Sequence, residues 1–217
     1  MRKLILKMSM TVDGFVCGPQ NEVEWVFGSM DEGANAWTMD LLWSAGLHVM
    51  GSRTYYDMAS YWPYSEEIYA APMNEIPKVI FSRAGLIEPP RARLAIRQSD
   101  GQASPGETAG LDSDRDLSRF EADWAEPRVA ADLSGEIARL KAEGGKPILA
   151  HGGVGFARSL IAAGLVDELR LLVHPVLLGR GKSIFSDLPQ PLDLKLASCS
   201  TFASGAIAQI YRPAQNL

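Results

Sequence analysis

The sequence predicts an α/β fold in which a mostly parallel sheet is flanked by helices and ends in an antiparallel hairpin. Short β-rich apolar runs alternate with segments of helical periodicity along most of the chain. Near the C-terminus, strand-like runs at residues 192–201 and 206–212 flank Gly205, which is typical of a hairpin. The 217 residues, 47% of them hydrophobic, suffice for one sizeable core. We therefore expect a single domain over residues 1–217.

In the first part of the chain, predicted strands alternate with predicted helices, which favours a parallel sheet. Residues 3–10 place apolar side chains at every second position and predict the first strand. A helix over residues 34–45 and a short strand ending at Met50 follow. Residues 54–59 predict a further short helix, and residues 78–81 form a β-rich run with no alternation. Such a run indicates a strand that is buried on both faces of a parallel sheet.

The middle of the chain interrupts this pattern. Residues 84–127 show no periodicity, and residues 99–118 are rich in Ser, Asp, Gly and Ala. We expect a flexible insertion there. Helical periodicity returns over residues 132–143, with Asp132 as the expected N-cap, and residues 169–173 predict the next strand.

Composition excludes several classes of function. The formal net charge is −5 and no basic stripe is present, so nucleic acid is not an expected partner. No apolar run approaches the roughly 20 residues that span a bilayer, so no membrane association is expected. Cys17 and Cys199 lie far apart without a motif, which fits a reduced, cytoplasmic protein. The three histidines lack metal-ligand spacing, so no metal site is expected.

The most informative motif is a glycine turn between a strand and a helix. The apolar run at residues 148–150 is followed by Gly152 and Gly153, and a helical pattern begins at Val154 and Gly155. Backbone N–H groups and the positive end of a helix dipole converge at such a turn, which suits a phosphate. The alternative is that the glycines serve only the turn itself.

Several separated motifs also follow one another in a familiar order. They are Ser9-Met10-Thr11-Val12-Asp13-Gly14-Phe15, Met50-Gly51-Ser52-Arg53-Thr54-Tyr55, Val79-Ile80-Phe81-Ser82-Arg83, Gly152-Gly153 with Gly164 to Leu169, and Pro175 to Gly181 before the last strand. This order resembles the dihydrofolate-reductase-like superfamily, in particular its branch related to the reductase domain of bifunctional riboflavin-biosynthesis proteins. The resemblance covers nearly all of the chain outside residues 84–127. It implies a dihydrofolate-reductase-like fold and an NADPH-dependent reductase that acts on a small molecule, often as a homodimer.

The resemblance also implies which residues contact the cofactor. Besides the glycine turn, two segments are expected to contact NADPH. They are Gly51, Ser52, Arg53 and Thr54, and Ser82 with Arg83. Arg83 would bind the 2′-phosphate, since no acid stands at that strand end to bind the ribose hydroxyl of NADH. The alternative is that Ser52 only caps a helix and that Arg83 is an exposed arginine in a turn.

Two carboxylates are candidates for catalysis. Asp13 lies in a context where riboflavin-type reductases place an aspartate at the substrate site, although an Asp-Gly turn needs no chemistry. Asp40 lies on the first helix, where dihydrofolate reductase uses a carboxylate, but Asn35 falls nearer the expected position. An amide cannot deliver a proton as a carboxylic acid can. Four tryptophans could also form the walls of a pocket for a flat heterocycle, or could simply be core: Trp25, Trp37, Trp43 and Trp62.

The predicted reaction is hydride transfer from NADPH to a C=N or C=O group of a small planar heterocycle. The substrate would be a ribosylaminopyrimidine, as for a 5-amino-6-(5-phosphoribosylamino)uracil reductase of riboflavin biosynthesis, or a pterin, or an unrelated aldehyde or imine. The zinc pattern of a deaminase does not occur in the sequence. A non-catalytic NADP-binding protein and a true dihydrofolate reductase are the alternatives.

Overall fold

The computed structural model describes residues 1–85 and 123–214, and these form one eight-stranded sheet. The strands are β1 (Leu4–Thr11), β2 (Leu47–Gly51), β3 (Lys78–Phe81), β4 (Arg128–Ala130), β5 (Ile148–Ala150), β6 (Glu168–His174), β7 (Leu194–Thr201) and β8 (Ile207–Pro213). Their order across the sheet is β4-β3-β2-β5-β1-β6-β8-β7. The first six strands in this order run parallel, whereas β8 is antiparallel to both β6 and β7. The predicted parallel sheet with a C-terminal hairpin is therefore confirmed.

Helices pack on both faces of this sheet. They are α1 (Glu32–Ser44), α2 (Ser52–Ala59), α3 (Ala70–Glu75), α4 (Leu133–Ala142) and α5 (Val154–Ala162), with short 3₁₀ helices at Glu24–Ser29 and Trp62–Tyr64. The Asp132 side chain accepts a hydrogen bond from the Gly135 N–H and caps α4, as predicted. No helix within the described ranges is long and apolar enough to cross a membrane.

The alternation of β1 divides the core into two layers. Leu4, Leu6 and Met10 pack with α4 and α5 on one face of the sheet, whereas Ile5 packs with residues of α1 on the other. Because side chains alternate along a strand, Lys7 and Ser9 belong to the same face as Ile5. A charged and a polar side chain therefore lie on the α1 side of a central strand.

Trp124 anchors the chain where it enters β4. Its side chain is 1% exposed and its indole N–H donates to the Asn74 side chain over 2.8 Å. The Tyr55 hydroxyl donates to the Trp124 carbonyl, and the Lys78 ammonium lies 4.5 Å from the centre of the indole ring. The C-terminal part of the region expected to be an insertion thus belongs to the core, while residues 86–122 lie outside the described ranges.

Candidate active site

The three predicted cofactor segments emerge side by side from neighbouring strands. β2 pairs with β3 on one side and with β5 on the other, so that Gly51 is opposite Phe81 and Val49 is opposite Ala150. The loops that follow these strands therefore lie at the same carboxyl edge of the parallel sheet. This is the edge at which open α/β sheets bind their ligands.

The two helices that begin at this edge have N-termini free of side-chain caps. α2 starts after Gly51 and α5 after Gly153, and neither has a side-chain cap or an acidic residue in its first turn. By contrast, α1 and α4 are capped by Asp31 and Asp132. Exposed N–H groups and the positive helix end attract an anion where no carboxylate already occupies the position.

Glycine is required at the turn by both conformation and space. Gly152 and Gly153 have φ angles of +54° and +80°. A Cβ on Gly152 would lie 2.6 Å from the Met8 sulfur, and one on Gly153 would lie 2.6 Å from the Thr54 hydroxyl oxygen. The glycine turn and the first turn of α2 are therefore in direct contact. Packing and backbone conformation alone explain the need for glycine here.

Ser82 and Arg83 follow β3 at the far side of this edge. The Ser82 hydroxyl donates to the Gly85 carbonyl over 2.6 Å, and the Ser82 N–H donates to the Ala130 carbonyl. Ser82 is thus engaged in its own turn. Arg83 is exposed, so its guanidinium can extend towards a ligand at the strand ends.

A cavity of about 530 Å³ opens on the α1 side of the sheet. It lies between β1, α1, the segment from Met58 to Met73, and the 3₁₀ helix at Glu24–Ser29. Most of the side chains that line it are apolar: Val26, Phe27, Met30, Leu41, Leu42, Met58, Trp62, Ile68 and Met73. Its polar lining consists of Lys7, Ser9, Asn35, Thr38, Glu66, Glu67, Tyr69 and His151. A cavity of this size and lining accommodates a small organic molecule.

The sheet side of the cavity is polar because of Lys7, Ser9 and His151. The Lys7 ammonium lies 3.4 Å from the Ser9 hydroxyl oxygen, and burial lowers the pKa of Lys7 to about 8. Lys7 is thus a proton-carrying group that titrates near neutral pH inside a cavity. Lys7 was not among the residues predicted from the sequence, although a lysine within an apolar strand pattern is a signal for such a group.

His151 joins the cavity to the glycine turn. It lines the cavity and directly precedes Gly152. Burial, followed by the nearby charge of Lys7, lowers the pKa of His151 to about 3, so its ring is neutral at physiological pH. Its Nε2 atom is buried and has no hydrogen-bond partner among the described residues, and its ring centre lies 4.3 Å from that of His48.

Asp13 holds a neighbouring loop in place. Its carboxylate accepts hydrogen bonds from the Thr11 hydroxyl at 2.5 Å and from the N–H groups of Gly179 and Leu178 at 2.7 and 3.1 Å. These bonds, above all that from Thr11, hold the pKa of Asp13 below its usual range. Asp13 is therefore ionised, bound to the loop after β6, and absent from the cavity lining.

Asp40 and Asn35 lie on different faces of α1. Asp40 is exposed and does not line the cavity, whereas Asn35 does. The Tyr69 hydroxyl donates to the Asn35 side-chain oxygen over 2.6 Å. Asn35 is one of four residues of α1 that line the cavity, and none of the four carries a carboxylate.

One of the four tryptophans lines the cavity, namely Trp62. Trp25 packs edge-on against His174, and Trp37 packs against the core. Trp43 is 41% exposed. Within the described ranges, the His, Cys, Asp and Glu side chains form no group that could hold a metal ion.

Comparison with known proteins relates this architecture to one family. A family model described as the RibD C-terminal domain matches residues 2–208. The chain belongs to the RibD C-terminal domain family. One relative in this comparison is YyaP of Bacillus subtilis (strain 168), described as an uncharacterized protein. It is 28% identical over 210 residues, covering 97% of this chain and 94% of the relative.

Solved structures agree with this membership at the level of the fold. A putative riboflavin biosynthesis protein from Shewanella sp. PV-4 is similar with a TM-score of 0.65 at 18% identity, covering 98% of this chain and 99% of that one. Dihydrofolate reductase from Enterococcus faecalis, solved with NADP(H), is similar with a TM-score of 0.54 at 10% identity, covering 98% and 97%. The RibD-type chain therefore has a dihydrofolate-reductase-like fold, as the sequence motifs implied.

Proposed function

We propose that this chain is an NADPH-dependent reductase that transfers a hydride to a C=N or C=O group of a small planar heterocycle. The observation that carries the proposal is the position of two uncapped helix N-termini beside the cavity. Both helices start at the carboxyl ends of neighbouring strands, and His151 links the glycine turn to the cavity wall. A dinucleotide bound at this edge would have one end near a molecule in the cavity.

The residues at this edge fit the chemical groups of NADPH. Gly152, Gly153, Val154 and Gly155 would hold the pyrophosphate through their N–H groups, together with the first turn of α2 at Gly51, Ser52, Arg53 and Thr54. Arg83 would bind the 2′-phosphate, with Ser82 shaping the turn that presents it. When bound, NADPH supplies the hydride.

The protein must then supply a proton, and Lys7 is suited to do so. A proton donor is most effective when its pKa lies near the working pH, and that of Lys7 is about 8. His151 is neutral at this pH and Asp13 is ionised, so neither carries an acidic proton to give. We propose that Lys7 orients the substrate and donates the proton, that Asp13 positions the loop after β6, and that Asp40 has no catalytic role.

Reduction of folate is less well supported than reduction of another heterocycle. The residues of α1 that line the cavity include Asn35 and no carboxylate, and an amide side chain cannot donate a proton as a carboxylic acid does. A non-catalytic NADP-binding protein would not require Lys7 to be held in a cavity at the energetic cost of burial.

Two measurements test the proposed function. Calorimetry should detect binding of NADPH to the chain and weaker binding of NADH. The absorbance of NADPH should then fall steadily in the presence of a planar C=N or C=O substrate from a panel that includes ribosylaminopyrimidines, pterins and dihydrofolate. Binding of NADPH without turnover of any panel member would favour a non-catalytic role, and absence of NADPH binding would contradict the proposal.

We also propose that the chain forms a homodimer through β7. Every residue of this edge strand is exposed, and it carries Leu194 and Leu196 beside the preceding Leu192. An exposed edge strand offers unpaired backbone N–H and C=O groups, and exposed leucines on it mark a contact surface. A second copy of the same strand could cover it in a symmetric arrangement.

A further inference from the structure

The mouth of the cavity carries negative charge. Glu66 and Glu67 line the cavity and are both exposed, whereas Lys7 lies on its sheet side, where burial lowers its pKa to about 8. Lys7 is the one positively charged side chain among the described lining residues, since the His151 ring is neutral. A ligand whose ring reaches the sheet therefore meets two carboxylates at the rim of the cavity, together with the exposed side chains of Phe27 and Ile68.

The N-terminus of α1, the helix that carries Asn35, is also closed to anions. Asp31 caps α1, accepting hydrogen bonds from the Ala34 N–H at 2.8 Å and from the Ser204 N–H at 2.7 Å. Glu32 adds a second acid to the first turn of this helix. The positive end of α1 is therefore already neutralised on the side from which Asn35 faces the cavity.

A phosphate monoester would meet unfavourable charge here. It carries about −1.5 to −2 charges at neutral pH and is bound in proteins by arginine pairs, lysines or open helix N-termini. The described mouth instead presents the carboxylates of Glu66 and Glu67, which would repel the phosphate. The apolar side chains of Trp62, Ile68 and Met73 favour an uncharged ring.

We propose that the substrate is an uncharged planar heterocycle or its nucleoside without a phosphate, and that the acidic mouth excludes the phosphoribosyl form. This inference rests on the proposed function and names the substrate class of the same cavity. In this proposal the phosphate groups that the chain binds belong to the cofactor, at the N-termini of α2 and α5. The polar edge of the ring would face Lys7, Ser9 and the unpartnered Nε2 atom of His151.

A matched pair of ligands tests this inference. 5-Amino-6-ribosylaminouracil and its 5′-phosphate differ only in the phosphate, and calorimetry without cofactor measures the Kd of each for the full chain under anaerobic conditions. The nucleoside should bind at least about tenfold more tightly than the phosphate. Tighter binding of the phosphate, equal binding, or binding of neither compound would overturn the proposal.

A second experiment reverses the charge of the two glutamates at the mouth of the cavity. The double variant Glu66→Lys, Glu67→Lys should lower the Kd of the phosphate by about tenfold or more while that of the nucleoside changes less than about twofold. Glu75→Lys makes the same kind of charge change at an exposed residue outside the cavity lining and should change neither Kd. An unchanged Kd of the phosphate in the double variant would show that these carboxylates do not exclude it.

The outcome is distinguishable from failure of the proposed function. NADPH binding is measured in a separate titration without either pyrimidine. If NADPH binds and the phosphate is preferred, the substrate class proposed here is wrong and the reductase function stands. If NADPH does not bind, the reductase function fails whichever pyrimidine binds.

Discussion

Gly153 and Thr54 are in direct contact, because a Cβ on Gly153 would lie 2.6 Å from the Thr54 hydroxyl oxygen. The contact joins the turn after β5 to the first turn of α2. The N-termini of two helices that begin at Ser52 and Val154, far apart in sequence, thus lie side by side.

The variant Gly153→Ala should weaken NADPH binding more than it weakens the fold. The added methyl group meets Thr54 and the residue has a φ of +80°, so the turn must shift away from the position that presents its N–H groups. We expect the Kd for NADPH, measured by calorimetry, to rise at least about tenfold. Gly164→Ala is the matched control, since Gly164 has a φ of +64° with open space around it. Both variants should lower Tm, and an equal change of NADPH affinity in both would contradict the assignment.

The variant Arg83→Ala should affect NADPH and spare NADH. Loss of a charged hydrogen bond to the 2′-phosphate costs about 1.5–3 kcal/mol, so the KM for NADPH should rise by roughly ten- to a hundredfold. The KM for NADH should change less than about twofold, since NADH lacks that phosphate. Lys146→Ala removes an exposed charge before β5, at the opposite edge of the sheet, and serves as the control. Equal changes of KM for both coenzymes would show that Arg83 does not bind the 2′-phosphate.

Turnover should decline as the pH rises through about 8. Burial lowers the pKa of Lys7 to about 8, and a proton donor acts only while it is protonated, that is, below its pKa. In the parent chain kcat should fall as the pH rises past about 8, and in the variant Lys7→Met this fall should be absent. The variant should also turn over at least about a hundredfold more slowly. Lys146→Met should keep both the fall and the rate. If kcat still falls near pH 8 in Lys7→Met, the fall is due to the titration of another group.

The same substitution should stabilise the fold. The pKa of Lys7 is about 8 in the folded chain against an ordinary value of 10.5, so below about pH 8 burial of the charged ammonium opposes folding. As the pH rises from about 8 to 10.5 the unfolded chain holds more protons, and this penalty disappears. Lys7→Met should therefore raise Tm at pH 7, and its advantage over the parent chain should shrink towards pH 10.5. A lower Tm at pH 7 would mean that Lys7 contributes more by packing than its charge costs.

Trp124→Ala should be among the most destabilising single changes. The indole is 1% exposed, donates to Asn74 and packs against Tyr55 and Lys78, so its removal leaves a cavity and an unpaired amide oxygen. We expect a loss of about 3–5 kcal/mol in the free energy of unfolding, measured with denaturant. Trp43→Ala, at a tryptophan that is 41% exposed, should cost less than about 1 kcal/mol. Similar losses in the two variants would show that Trp124 does not anchor the chain to the core.

Light scattering with size-exclusion chromatography should show a dimer that the variant Leu196→Lys dissociates. Leu196 is 56% exposed on β7, and a lysine there would oppose its own copy across a symmetric interface. Leu177→Lys makes the same change at a residue that is 70% exposed and lies outside β7. A monomeric parent chain, or dissociation by both variants, would argue against an interface at β7.

Local patterns in the sequence were enough to predict most strands and helices. The alternation over residues 3–10 corresponds to β1, the β-rich run at residues 78–81 is β3, and Asp132 caps α4. These features depend on side-chain periodicity and on bonds between residues three apart, both of which are visible along the chain. β4 and α3 were missed because each is short: three exposed or half-buried residues in one, and six residues that include Pro72 in the other.

The fold class and the glycine turn follow from the sequence alone, because strand and helix periods and backbone freedom are properties of neighbouring residues, and the order of the motifs indicates the family. Which side chains share the cavity is set by tertiary packing. Asn35 lines it and Asp40 faces solvent because α1 packs on the sheet in one orientation, and Lys7 lines it because α1 covers the face of β1 to which Lys7 belongs. Such choices depend on contacts between residues far apart in sequence, which periodicity alone does not specify.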